Sequence, residues 1–162
     1  TSKDSVVYAN EDISSLMPVY TSNNVFYSRY ANLFIISDKE VGERFILNNF
    51  FEKFNREFLV ENERSIWGVR YVEQRGDAVR ANKWRRPLGF KPKPEIGLPE
   101  EEISKVLALA HSIQKSNFKE RLKDYEVDYF VWDKSKNPEW GLEKFNLKLV
   151  YEFESIHIFK KR

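Results

Sequence analysis

The sequence predicts an α/β fold: a Rossmann-like, mostly parallel sheet flanked by helices, closed at one edge by a C-terminal antiparallel β-hairpin. Three observations carry this. Residues 5–27 read strand, helix, strand, a compact parallel unit. Residues 99–132 read helix and then a strand of nearly continuous apolar character, as suits a strand covered on both faces. Two final alternating strands are separated only by Glu154-Ser155, too short a link for a parallel crossover.

Taken in order, Ser5-Val-Val-Tyr-Ala9 is a short buried strand. Asn10 or Asp12 caps a helix whose apolar face is Ile13, Leu16 and Met17, and Pro18 is expected to end or kink it. Thr21-Ser-Asn-Asn24 is a turn, and Val25-Phe-Tyr27 a second strand. Ala31–Ile36 reads as a third strand or a packed loop. Ser37 and Glu40 have capping-box spacing for a helix. From Val41 to Val60 the apolar positions Val41, Phe45, Ile46, Phe50, Phe51, Phe54, Phe58 and Leu59 keep helical period, predicting one long, Phe-rich helix. Its face is expected to pack in the core, with a membrane-embedded partner as the sharper alternative.

Ser65–Val72 reads as a strand. A basic, Pro-rich insert follows at about residues 73–99 within a single domain spanning 1–162. Between Arg70 and Lys93 there are eight basic residues against two acidic, a concentration the overall net charge of +2 conceals. With Pro87, Pro92, Pro94 and Pro99 present, an extended surface loop is expected. Pro99 and Glu100–Glu102 then start a helix, sterically and by the dipole. Its face is Ile103, Val106, Leu107, Ala110 and Ile113. Val127–Trp132 is the buried strand. In the hairpin, Leu147/Leu149/Tyr151/Phe153 and Ile156/Ile158 are expected to give each strand one buried face.

At 162 residues the chain can bury a core without staples. It has no cysteine, which excludes disulfides and thiol chemistry. Two histidines far apart, His111 and His157, make no zinc site, and no metal or other cofactor is expected. No run reaches the length of a membrane span, and no signal peptide is visible. The first residue is Thr rather than Met, so the chain is expected to be a piece of something longer.

The order Tyr125-Glu-Val-Asp-Tyr-Phe-Val-Trp132, polar loop, Leu147-Lys-Leu-Val-Tyr-Glu152, Ile156-His-Ile-Phe-Lys160 resembles the soluble C-terminal tail of multi-spanning bacterial membrane proteins. Many of that group are GT-C-type glycosyltransferases, and others are uncharacterised membrane proteins of similar build. Asp4–Asn10, Ser14–Thr21 and Asn24–Tyr27 resemble the start of the same tails. The likeness covers residues 4–30 and 118–160 and departs over 60–100. It implies a non-catalytic, extracytoplasmic, membrane-tethered domain whose partner is the transmembrane portion of the same polypeptide. Docking there, the domain would assist access of an acceptor or a lipid-linked sugar donor. The catalytic carboxylates of such enzymes sit in membrane loops outside this chain, so none carries over. The alternative is a stand-alone α/β module that binds a small ligand or a protein.

Two groups of residues are candidate contacts. Arg80, Lys83, Trp84, Arg85, Arg86, Phe90 and Lys91 mix cations with aromatics, the composition of a membrane-surface or anionic-ligand contact. Nucleic acid is disfavoured as their partner, and a solvated loop paired with Glu100–Glu102 is the plain alternative. Asn10, Asp12 and Asp133 lie just past strand C-termini, where open α/β sheets bind ligands. Their plain alternative is capping and loop solvation. No Gly-rich phosphate loop follows either strand. Ser14 and Ser15 lack His-Asp partners, and no acid/base or nucleophile set appears, so the domain is not expected to be an enzyme by itself.

Overall fold

A computed structural model describes residues 4–30 and 37–162. The expected strand or loop at 31–36 lies outside the described residues. Five strands form one sheet in the order β2-β1-β3-β5-β4: β1 (Val6–Ala9), β2 (Asn24–Val25), β3 (Tyr129–Asp133), β4 (Lys148–Phe153) and β5 (Ile156–Lys160). The sheet is mixed. β1 pairs in parallel with β2 and β3, whereas β5 pairs antiparallel with both β3 and β4. Parallel character is confined to the three strands joined through helices. β4 runs with β3 but one position away, and β5 inserts between them, so both of its pairings are antiparallel.

Period-2 alternation divides the core into two layers. Val7, Ala9, Tyr129 and Val131 point to one face, covered by Ile13 and Met17 of α1 (Glu11–Tyr20) and continued by Ile156 and Ile158. Tyr8, Phe130, Trp132 and Phe159 point to the other. That side carries α2 (Asp38–Asn48), α3 (Arg56–Glu61), α4 (Glu63–Trp67), α5 (Arg70–Arg85), α6 (Glu100–Gln114) and α7 (Phe118–Arg121). The larger core is built on rings: Tyr8 touches Phe26, Phe118, Phe130 and Trp140, at centroid distances of 5.2–5.6 Å.

Asn10 caps α1, accepting from the Ile13 amide at 3.0 Å. Pro18 sits inside that helix rather than ending it, and the last turn closes when the Thr21 amide and hydroxyl both donate to the Met17 carbonyl at 2.9 Å. Ser37 caps α2 as expected, but the Glu40 carboxylate turns to Arg44 Nε at 2.9 Å.

Four expectations are corrected. The single helix over Val41–Val60 is two, α2 and α3. Asn49 and Asn55 are the reason: Asn49 Nδ2 bonds the Phe45 carbonyl, and Asn55 caps α3 at Phe58 N. Gln114 of α6 then donates to the Phe50 and Glu52 carbonyls, both at 2.8 Å, and so holds the break open. The strand over Ser65–Val72 is the end of α4 and the start of α5, turned at Gly68 with φ +65°. The insert is not an extended loop up to Arg85. Its first proline is Pro87, so nothing bars the helix before it. Finally, β4 has no buried face. All six residues are exposed, because α1 packs on β1 and β2, and on the other side β4 lies beyond the helical layer. The two-residue turn does hold, with Glu154 at φ +50°.

Candidate functional site

Two surfaces gather the residues singled out from the sequence. One is the tip of α5 with the chain that follows it. Tyr71, Arg75, Ala78 and Asn82 form the inner stripe of α5 at four-, three- and four-residue steps. Arg75 reaches inward to Glu63 with both terminal nitrogens. Arg70 pairs with Asp38 at 3.1 Å, and Arg80 with Asp77 at 2.5 Å. Three of the eight basic residues are thus spent on carboxylates of their own domain. Lys83, Arg86 and Lys91 make no ion pair among the described residues.

Beyond the helix end the chain doubles back. The buried amide of Asn82 donates to the Lys93 carbonyl at 2.9 Å and accepts the Lys93 N–H at 2.6 Å. Arg85 Nε donates to the Lys91 carbonyl at 2.7 Å, and its guanidinium lies 5.7 Å from the centre of the Phe90 ring. Gly89, at φ +73°, lets the chain turn between them. The result is a held loop, not a free one. Trp84 on the last turn of α5, and Leu88 and Phe90 on the loop, stand out with 71%, 67% and 59% of their surface exposed. Glu100, the expected neighbour of this loop, pairs instead with Arg56 at 2.6 Å.

The second surface is a cleft at the carboxyl ends of β1 and β3. The chain leaves β1 toward one face of the sheet, into α1. It leaves β3 toward the other, through the 3₁₀ turns Pro138–Trp140 and Leu142–Phe145, whose Trp140 and Leu142 belong to the larger core. Adjacent strands whose connections diverge leave a crevice between them. Here it measures about 220 Å³.

Asn10 and Asp12 border this crevice, and Asp133 does not. Asn10 Nδ2 donates to Asn137 Oδ1 across the switch at 3.0 Å. Asp12 is paired with Lys136 at 2.6 Å, and that hydrogen bond holds its carboxyl below its ordinary value of 3.8. Asp133 is instead a turn former, accepting from the amide (2.9 Å) and hydroxyl (2.6 Å) of Ser135.

The helical layer adds residues that sequence reasoning missed. Asn48, at the end of α2, borders the cleft with 5% of its surface exposed, and its Oδ1 has no hydrogen-bond partner. Its backbone carbonyl is fixed by the Tyr8 hydroxyl, 3.0 Å away and also 3.0 Å from the Leu47 carbonyl. Glu52, one turn on, has its carboxyl raised by partial burial and by the neighbouring charge of Glu139. The signal for both was the polar run Asn48-Asn49 inside a Phe-rich stretch, which helical period alone disguises. Among the described residues no group of three or more His, Cys, Asp or Glu is placed to hold a metal ion. No family model matches the chain, and no curated protein or solved structure matches it.

Proposed function

We propose that this chain is a non-catalytic, extracytoplasmic domain of a larger, glycosyltransferase-like membrane protein, and that it docks on the membrane portion of that protein with its α5 tip against the bilayer surface. The observation that carries the reading is the exposure of Trp84, Leu88 and Phe90 together, beside Lys83, Arg85, Arg86 and Lys91, on the last turn of α5 and the loop that Asn82 holds against it. Aromatic and aliphatic side chains of this kind suit the interfacial zone, while cations beside them meet lipid phosphates. The same tip suits the headgroup of a lipid-linked sugar. No helix among the described residues is long and apolar enough to cross a membrane, so in this reading the spans belong to another part of the polypeptide.

Co-sedimentation with phosphatidylserine-containing and purely zwitterionic vesicles tests this. Binding to the anionic vesicles, weakened by salt, is expected. Each cation near an anionic surface contributes about 1 kcal/mol, so Arg85→Ala/Arg86→Ala together should weaken binding roughly thirtyfold. No binding at low salt refutes the surface role. Hydrophobic spans encoded upstream of Thr1 support the larger protein, and a start codon there without spans removes it.

A second reading, a stand-alone α/β module that binds a small ligand, is favoured by the unmade hydrogen bond of Asn48 in the switch-point cleft.

A further inference from the structure

We infer that the cleft between the ends of β1 and β3 is a binding site for a small, neutral, polyhydroxylated ligand, and that it rejects phosphorylated ones. The site is separate from the α5 tip and rests on the second reading above.

Asn48 supplies the first reason. A buried amide oxygen without a partner is a net cost to the fold, because its bond to water is lost and not replaced. The loss is made good if something in the cleft completes the bond. Tyr8 fixes the backbone at Asn48 through its carbonyl, and so sets where the side chain is rooted on the cleft wall.

Charge supplies the second. Open α/β sheets commonly place a phosphate on the helix N-terminus at such a crevice. That option is closed here. The Asn10 side chain already occupies the Ile13 amide, and Glu11 and Asp12 fill the first turn of α1 with negative charge. Lys136 is committed to Asp12. Arg29 Nε lies 2.7 Å from Glu11, an ion pair by distance but not in hydrogen-bond alignment. Glu52 has no basic partner among the described residues. An entering anion meets carboxylates whose cations are already engaged.

Size and chemistry supply the third. At about 220 Å³ the cleft is on the scale of a small polyol. Of the amides on the wall, Asn10 is spent at both ends, on the Ile13 amide and on Asn137, and Asn49 Nδ2 is spent on the Phe45 carbonyl. The Asn48 Oδ1 remains to accept and the Asn137 Nδ2 to donate, and a hydroxylated ligand, whose groups do both, can meet the two together.

The test is a titration of the intact domain with myo-inositol, glucose and glycerol, followed by its side-chain amide resonances. Inositol monophosphate is the matched anion. Saturable shifts at Asn48 and Asn137 are expected with at least one neutral polyol, with the phosphorylated ring binding roughly tenfold weaker or not at all. Asn48→Ala should abolish the shifts. Should that variant fail to fold, Glu52→Gln serves instead, since it removes charge at a half-buried position and should narrow the gap between the two inositols. Inositol monophosphate binding as well as myo-inositol overturns the ligand class while leaving a ligand site. No saturable shift with any of the four overturns the site itself.

Discussion

Arg75 of α5 grips the buried carboxylate of Glu63 in α4 with two parallel hydrogen bonds. The pair fixes the angle between two helices that lie in a region reading as strand and loop. Removing the arginine leaves a carboxylate that is 9% exposed without a counter-charge. Arg75→Ala should therefore cost about 3 kcal/mol in urea unfolding. Replacing both partners, as Glu63→Leu/Arg75→Met, should cost less than the single change. A loss under about 0.5 kcal/mol for Arg75→Ala means the pair behaves as an ordinary surface one.

The reciprocal amide contact between Asn82 and Lys93 predicts a local effect. Asn82→Ala should destabilise the fold by about 1–2 kcal/mol, since it leaves the Lys93 N–H and C=O without their partner. Hydrogen exchange at the Lys93 amide is the direct reading. It should be protected in the parent and fast in the variant. Equal exchange in the two means that something else holds the loop.

Strand β4 exposes Leu149, Val150, Tyr151 and Phe153 on an edge with nothing beside it among the described residues. Such an edge is a template for pairing with another chain. The isolated domain should associate as its concentration rises, and Val150→Lys should suppress this without lowering the midpoint of unfolding. Sedimentation velocity across a concentration series decides it. A parent that stays monomeric throughout shows that the Lys148 and Glu152 charges already suffice as guards.

Asp133 gives a pH dependence with a definite sign. The Ser135 hydroxyl, chiefly, holds its carboxyl below the ordinary 3.8. The ionised form is therefore favoured by folding. Its stabilisation is complete above the unfolded value of 3.8 and is lost as the pH falls through the lower, folded value. Asp133→Asn should flatten the acid limb of the stability curve in that window. An unchanged acid limb assigns acid sensitivity to other carboxylates.

Much of this was legible in the sequence, for reasons that can be named. The two-residue link at Glu154-Ser155 admits only a hairpin, and it is one. Asn10 and Asp12 reach the switch-point cleft because position after a parallel strand is set by topology, not by side-chain detail. The Phe-rich run failed because Phe50 and Phe51 continue the core beyond the end of α2, so burial kept helical phase where the backbone did not. α5 was hidden because two of its four inward positions, Arg75 and Asn82, count as polar in any periodicity. Asp133 shares its place with Asn10 at a strand end, yet the sharp Ser135 turn takes its carboxylate. Asn48 left only the polar pair Asn48-Asn49 as a trace, and its place on the cleft follows from α2 ending against Tyr8.

The middle of the sheet brings together segments far apart in the chain. Val6 N–H bonds the Asp128 carboxylate, 122 residues away, while the strand on its other side is two residues long. At ordinary synthesis speeds of about 5–20 residues per second, β1 waits roughly 6–24 s for its principal partner. Over that interval β1 has only the two-residue β2 to pair with. The central β1–β3 pairing therefore closes late, whereas the β4–β5 hairpin is local and needs only microseconds from its own emergence. β1, first made, gains its second neighbour only with β3.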